Sequence, residues 1–136
     1  MYKELIEKAI EARVGSYSPY SDYAVGAALM CGDGSIITAA NIENASYGLT
    51  ICAERAAVFK AVNNGKKNFR AVAIAGGIRG SEPKDYAYPC GACRQVLREF
   101  VNPKEFKVIV AISVDRYEEY TLEELLPNSF GPDKLI

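Results

Sequence analysis

Histidine and tryptophan are both absent from the 136 residues of this chain. The lack of histidine excludes Ser-His-Asp hydrolysis, Cys-His proteolysis and every imidazole-ligated metal site on composition alone. Long apolar runs are missing too. No stretch of about 18 apolar residues is present, so neither a membrane span nor a membrane partner is expected. The segment Met1-Tyr2-Lys3-Glu4-Leu5-Ile6-Glu7-Lys8 mixes charge with apolar residues and forms no signal-peptide core, which makes the cytoplasm the expected location. Nor is there a basic block. The 16 Lys and Arg residues are set against 17 Asp and Glu, for a net charge of −1. Such a chain lacks the electrostatic footprint that a polyanion requires, so no nucleic-acid partner is expected.

What is present describes one ordinary globular domain spanning residues 1–136, with 49% hydrophobic and 24% charged residues. Leu5, Ile6, Ala9 and Ile10 fall on one stripe at helical spacing, so Tyr2 to Arg13 reads as an amphipathic helix. Residues 15–22 are loop-like and rich in tyrosine and serine. Ala24 to Cys31 and Ser35 to Ala40 read as a hairpin turning at Asp33-Gly34, because those residues tolerate positive φ. Ala53 to Val62 reads as a helix ending near Asn64-Gly65, and Ala71 to Ala75 as a short strand. A further helix begins near Pro89 to Cys93 and runs to Phe100, followed by a β-branched strand from Val108 to Val114. Tyr117 to Leu122 reads as a weak edge strand, and Leu122 to Leu126 as a last helical turn stopped by Pro127. The order α-β-β-α-β-α-β-β predicts an α/β fold: a mixed sheet of about five strands between helices, in three layers.

The four cysteines fall in an informative pattern. Cys52-Ala53-Glu54 is followed by Pro89-Cys90-Gly91-Ala92-Cys93. Three thiolates can hold Zn²⁺ and leave a tetrahedral position open for water, and a carboxylate two residues from the first thiolate can handle that water's protons. Zinc suits such a site because thiolates are soft ligands and it supplies Lewis acidity without redox chemistry. Cys52, Cys90 and Cys93 also fall at predicted helix starts, where backbone N–H groups and the helix dipole stabilise thiolates.

Three thiolates around Zn²⁺ carry a net formal charge of −1, which opposes ionisation of bound water. Arg55 and Arg94 each directly follow a motif residue and are candidates to donate to a thiolate and offset that charge. Two other readings of the cysteines stay open at this stage. Cys31 could close a structural Cys₄ site with no reactive water, or Cys90 and Cys93 could form a redox pair.

Taken together, Ser18-Pro19-Tyr20-Ser21, Val25-Gly26-Ala27-Ala28-Leu29, Asn41-Ile42-Glu43-Asn44-Ala45, Cys52-Ala53-Glu54-Arg55, Pro89 to Gln95 and Glu124-Leu125-Leu126-Pro127 resemble the small free-nucleoside cytidine deaminases over almost the whole chain. Zinc deaminases as a class pair a Cys₃ or His-Cys-Cys site with a non-ligand glutamate. The resemblance implies the cytidine deaminase fold, one Zn²⁺ per subunit on Cys52, Cys90 and Cys93, and zinc-activated water attacking C4 while Glu54 shuttles protons. Cytidine and deoxycytidine would become uridine and deoxyuridine, with release of ammonia, in pyrimidine salvage. It further implies that Asn41 and Glu43 bind the ribose, that backbone at Ala53 reads the base edge, and that Tyr23 lies beside the base where Phe is more common. Relatives of this length resemble homotetramers in which an aromatic near the C-terminus, here Phe130, caps the base in a neighbouring subunit. A deaminase for a modified cytosine nucleoside is the alternative within this chemistry.

Overall fold

A computed structural model describes residues 2–135. Its centre is a five-stranded sheet built from β1 (Tyr23–Cys31), β2 (Ile36–Ala40), β3 (Phe69–Ile78), β4 (Lys107–Ser113) and β5 (Arg116–Thr121), in the order β2-β1-β3-β4-β5. Only the β3–β4 pair is parallel; β1–β2, β1–β3 and β4–β5 are antiparallel. The helices are α1 (Lys3–Ala12), α2 (Ala53–Asn63), α3 (Gly91–Phe100) and the short α4 (Leu122–Leu125). This is the mixed α/β order expected from the sequence.

Strand periodicity decides which residues meet which helix. Ala71, Ala73 and Ala75 of β3 lie with Ala28, Ile109 and Ala111 against Leu5, Ile6 and Ala9 of α1. Val72 and Ile74 alternate with them and join Ala27, Leu29, Val108 and Val110 against Ala57, Val58, Ala61 and Leu97 of α2 and α3. The alanine-rich face lets α1 sit close to the sheet. A Cβ on Gly26 would lie 2.0 Å from the Ala9 carbonyl oxygen and 2.9 Å from the Arg13 nitrogen, so only glycine fits there.

Strand β3 extends beyond the expected Ala71 to Ala75 at both ends, through Arg70 and through Gly76-Gly77. The paired glycines, just past the apolar run, accommodate close neighbours. A Cβ on Gly76 would come within 2.9 Å of the Tyr23 ring, and one on Gly77 within 3.1 Å of Pro83. The hairpin turns at Gly34, whose φ is +89°.

Topology sets the position of the site. Because β2 and β3 are both antiparallel to the strand between them, they run the same way, and Ala40 and Ala75 lie level across Gly26. The helices that follow, α2 and α3, therefore start at one edge of the sheet, the usual place for a ligand site in α/β proteins.

Candidate active site

Cys52 is the N-cap residue of α2 and Cys90 the N-cap residue of α3; Cys93 lies in the first turn of α3. The two helix starts bring the three sulfurs together. Cys52 Sγ is 3.8 Å from Cys90 Sγ, Cys90 Sγ is 3.4 Å from Cys93 Sγ, and all three lie within 4.8 Å of one another. Tetrahedral zinc with Zn–S bonds of about 2.3 Å needs sulfurs roughly 3.8 Å apart, so the donor set fits that ion. Cys93 N–H donates to Cys90 Sγ at 3.4 Å, one of the helix-start N–H groups that favour a thiolate.

Electrostatics separates the thiols. Cys52 is lowered to about 5, first by a hydrogen bond with Cys93 and, against the opposing effect of burial, by the guanidinium of Arg55. Cys93 is raised by the same bond with Cys52, by burial and by the charge of Glu54, so it is the member of the pair that keeps the proton in the metal-free protein. Arg55 Nη2 donates to Cys52 Sγ at 3.6 Å, and its Nε is buried without a hydrogen-bond partner.

Glu54 is the second residue of α2 and only 4% exposed. Burial pushes its carboxyl up to about 7, and the Cys52 charge adds to the rise. A group poised there can take or give a proton near neutral pH.

Glu54 opens onto a cavity of about 290 Å³ whose walls include Tyr23, Asn41, Ala53, Tyr88 and Cys90. Thr50 links this cavity to a recess formed by Tyr20, Ser21, Glu43 and Tyr47. The Glu43 carboxylate accepts from the Tyr20 and Ser21 N–H groups at 3.0 and 3.2 Å and from the Ser21 hydroxyl, which together hold its pKa down. Asn41 is 8% exposed, and most of its amide is used by the protein. Its Oδ1 accepts from Ser16 Oγ at 2.6 Å and Val25 N at 2.9 Å, while Nδ2 donates to the Tyr23 carbonyl at 2.9 Å. A larger cavity, about 440 Å³, lies beside Tyr2, Phe69 and Phe106 at the other end of the sheet; no thiol lines it.

These positions also bear on three further residues singled out from the sequence. Arg94 does not hydrogen-bond a thiolate: its Nε donates to the Pro89 carbonyl at 2.8 Å and its Nη1 to the Leu125 carbonyl at 2.7 Å. Two backbone acceptors claim the guanidinium, which braces the turn before Cys90 from α4. Cys31 is no fourth ligand. It is buried opposite Phe69, where β3 begins, whereas α2 and α3 start beyond the far ends of β2 and β3. Phe130 is 58% exposed and does not line this chain's cavity; Gln95 Nε2 donates to its carbonyl at 3.1 Å. Sequence reasoning overlooked Thr50 and Tyr88, each two residues before a cysteine of the cluster, and Ser16, which supports Asn41. Proximity to the motif was the only available signal for the first two. Among the described residues, no helix is long and apolar enough to cross a membrane.

Comparison with known proteins agrees with this chemistry. The family model for the cytidine and deoxycytidylate deaminase zinc-binding region matches residues 1–110. A cytidine deaminase of Halalkalibacterium halodurans is 49% identical over 131 residues, covering 96% of this chain and 95% of that protein. One from Sporosarcina psychrophila is 42% identical, covering 98% and 93%. The crystal structure of cytidine deaminase from Burkholderia pseudomallei superposes with a TM-score of 0.84 at 40% identity, covering 96% of this chain and 99% of that one. With a zinc-binding deaminase domain matched and three thiols placed for the metal, the chain belongs to the cytidine and deoxycytidylate deaminase family and is a hydrolytic deaminase.

Proposed function

We propose that residues 1–136 act as one catalytic domain that converts cytidine and deoxycytidine to uridine and deoxyuridine with release of ammonia, in pyrimidine salvage. The observation that carries this reading is a buried carboxyl, Glu54, raised to about 7 beside a three-thiol metal centre, at the floor of a cavity of about 290 Å³. Relatives that cover nearly the whole chain bear the name cytidine deaminase.

Zinc held by Cys52, Cys90 and Cys93 supplies Lewis acidity that makes water a nucleophile near neutral pH. Glu54 performs the proton transfers. Its carboxylate accepts a proton from the attacking water and delivers it to ring N3 as C4 becomes tetrahedral, then takes the second proton from the hydroxyl now on C4 and delivers it to the amine as the C4–N4 bond breaks. Burial excludes bulk water from this carboxyl and tunes it for both directions of transfer. Arg55 offsets thiolate charge at Cys52, while backbone at Ala53 and the Tyr23 ring receive the base.

The recess beside the cavity suits a sugar. Asn41 keeps one amide hydrogen beyond its bond to Tyr23, and Glu43 has three of about four acceptor positions filled, leaving one for a hydroxyl. The Glu43 charge disfavours a phosphate there, which supports free nucleosides as substrates. Exposed Tyr17, Ile42, Tyr47 and Leu49 lie near this recess in the chain and support assembly into a homotetramer in which Phe130 of a neighbouring subunit closes over the base. Such an enzyme works in the cytoplasm. Chromatography of cytidine and deoxycytidine incubated with the zinc-loaded protein tests the reading: uridine, deoxyuridine and equimolar ammonia are expected, with CMP left unchanged. Conversion of CMP in preference to cytidine overturns the nucleoside assignment.

A further inference from the structure

Residues 79–90 join β3 to α3 through turns and irregular backbone, and their C-terminal end forms one side of the cavity through Ala87, Tyr88 and Cys90. An irregular wall stays in place only if it is tied down. Tyr88 makes the tie. Its hydroxyl donates to Glu118 Oε1 at 2.5 Å, and Tyr120, two residues along β5, donates to the same oxygen at 2.8 Å. The Tyr88 ring packs 6.2 Å from that of Tyr120, edge to face, and 6.3 Å from that of Tyr86. A hydrogen bond to a carboxylate is roughly twice as strong as a neutral one, so the ring is fixed although 48% of the residue is exposed.

Tyr88 lies two residues before Cys90 and shares the cavity with Cys52 and Glu54. The carbon under attack must sit within reach of that metal centre and of Glu54, so the amine leaving it does so beside this wall. Resting on the deaminase reading above, we propose that Tyr88, anchored by Glu118, is the specificity-determining residue that limits substitution on the exocyclic amine of the cytosine base. Cytidine fits under the ring; an N4-alkyl cytidine meets it. The chemistry needs no other reactant. With N4-methylcytidine the water oxygen stays on C4, the C4–N4 bond breaks, Glu54 relays the proton, and the products are uridine and methylamine.

The experiment measures kcat/KM for cytidine and N4-methylcytidine with the zinc-loaded parent, Tyr88→Ala, Tyr88→Phe and Glu118→Ala. The ratio of N4-methylcytidine to cytidine rises about tenfold or more in Tyr88→Ala, the scale on which a pocket discriminates a single carbon. Tyr88→Phe and Glu118→Ala give smaller, equal increases. Combining these two substitutions adds nothing to the ratio, because each removes the Tyr88–Glu118 hydrogen bond. An unchanged substrate ratio in folded, zinc-loaded Tyr88→Ala overturns the assignment. If that variant does not fold, an unchanged ratio in Glu118→Ala overturns it instead, since this residue lies on the edge strand and outside the cavity. A parent inactive on cytidine contradicts the deaminase reading itself, whereas an active parent with unaltered ratios contradicts only the role of Tyr88.

Discussion

Arg55 Nη2 points at Cys52 Sγ from 3.6 Å, one helical turn along α2, and Arg55 Nε is buried with no partner of its own. The guanidinium thus faces the sulfur cluster while staying charged at any relevant pH. Arg55→Gln removes that charge. A fall in kcat of about tenfold is expected, the lower end of the range for residues that tune a metal ligand. In metal-free Arg55→Gln, the pH at which Cys52 becomes reactive to iodoacetamide shifts upward from the parent value near 5. Unaltered kcat and an unaltered alkylation profile remove Arg55 from the account.

Metal-free protein carries a second signature at Glu54. Its folded-state pKa of about 7 lies above the ordinary 4.5, so the folded state holds the proton more tightly than the unfolded state. The resulting stability is fully present below about pH 4.5 and is lost as pH rises through about 7. The difference amounts to roughly 3 kcal/mol. Urea unfolding of chelated parent and chelated Glu54→Gln at pH 5 and pH 8 isolates it, because the titration of Cys52 is common to both proteins. The parent loses stability relative to the variant between these two values. A constant difference contradicts the assigned burial.

Cys31 and Cys93 are both buried thiols with different work to do. Cys93→Ser abolishes stoichiometric zinc binding. Cys31→Ser retains one zinc per chain and loses about 1–3 kcal/mol of unfolding free energy, the cost of a poorly partnered hydroxyl in an apolar site. Elemental analysis with denaturant titration reads both quantities; zinc loss in Cys31→Ser contradicts the separation described here.

Helix α1 depends on a missing side chain. Gly26→Ala places a methyl 2.0 Å from the Ala9 carbonyl oxygen, which moves the helix off the sheet. A destabilisation of about 1–3 kcal/mol or more is expected on overpacking. Thermal unfolding measures it, and an unchanged midpoint shows that α1 has room the structure does not reveal.

How legible these features were in the sequence depends on the range of the interactions that fix them. The hairpin at Gly34 and the Tyr2 to Arg13 helix follow from local chemistry, a positive φ in one case and an apolar stripe in the other, so pattern alone found them. The cysteine cluster was legible because two short motifs each fall at a helix start. Strand β3 was read short because the apolar run stops at Ala75, whereas Gly76 and Gly77 continue the strand and make room for Tyr23 and Pro83, residues distant in sequence. Arg55 and Arg94 looked equivalent as neighbours of motif residues. Their difference comes from α4, which offers Arg94 the Leu125 carbonyl, a partner 31 residues away. The same limit hid Tyr88, whose anchor Glu118 lies 30 residues further along the chain.

The most direct test of the central claim follows the ultraviolet absorbance of cytidine mixed with zinc-loaded protein, beside a Glu54→Gln variant of equal zinc content. The account predicts conversion to uridine by the parent and its near loss in the variant, with zinc still bound to Cys52, Cys90 and Cys93. No conversion by the zinc-loaded parent, or equal conversion by both proteins, contradicts it.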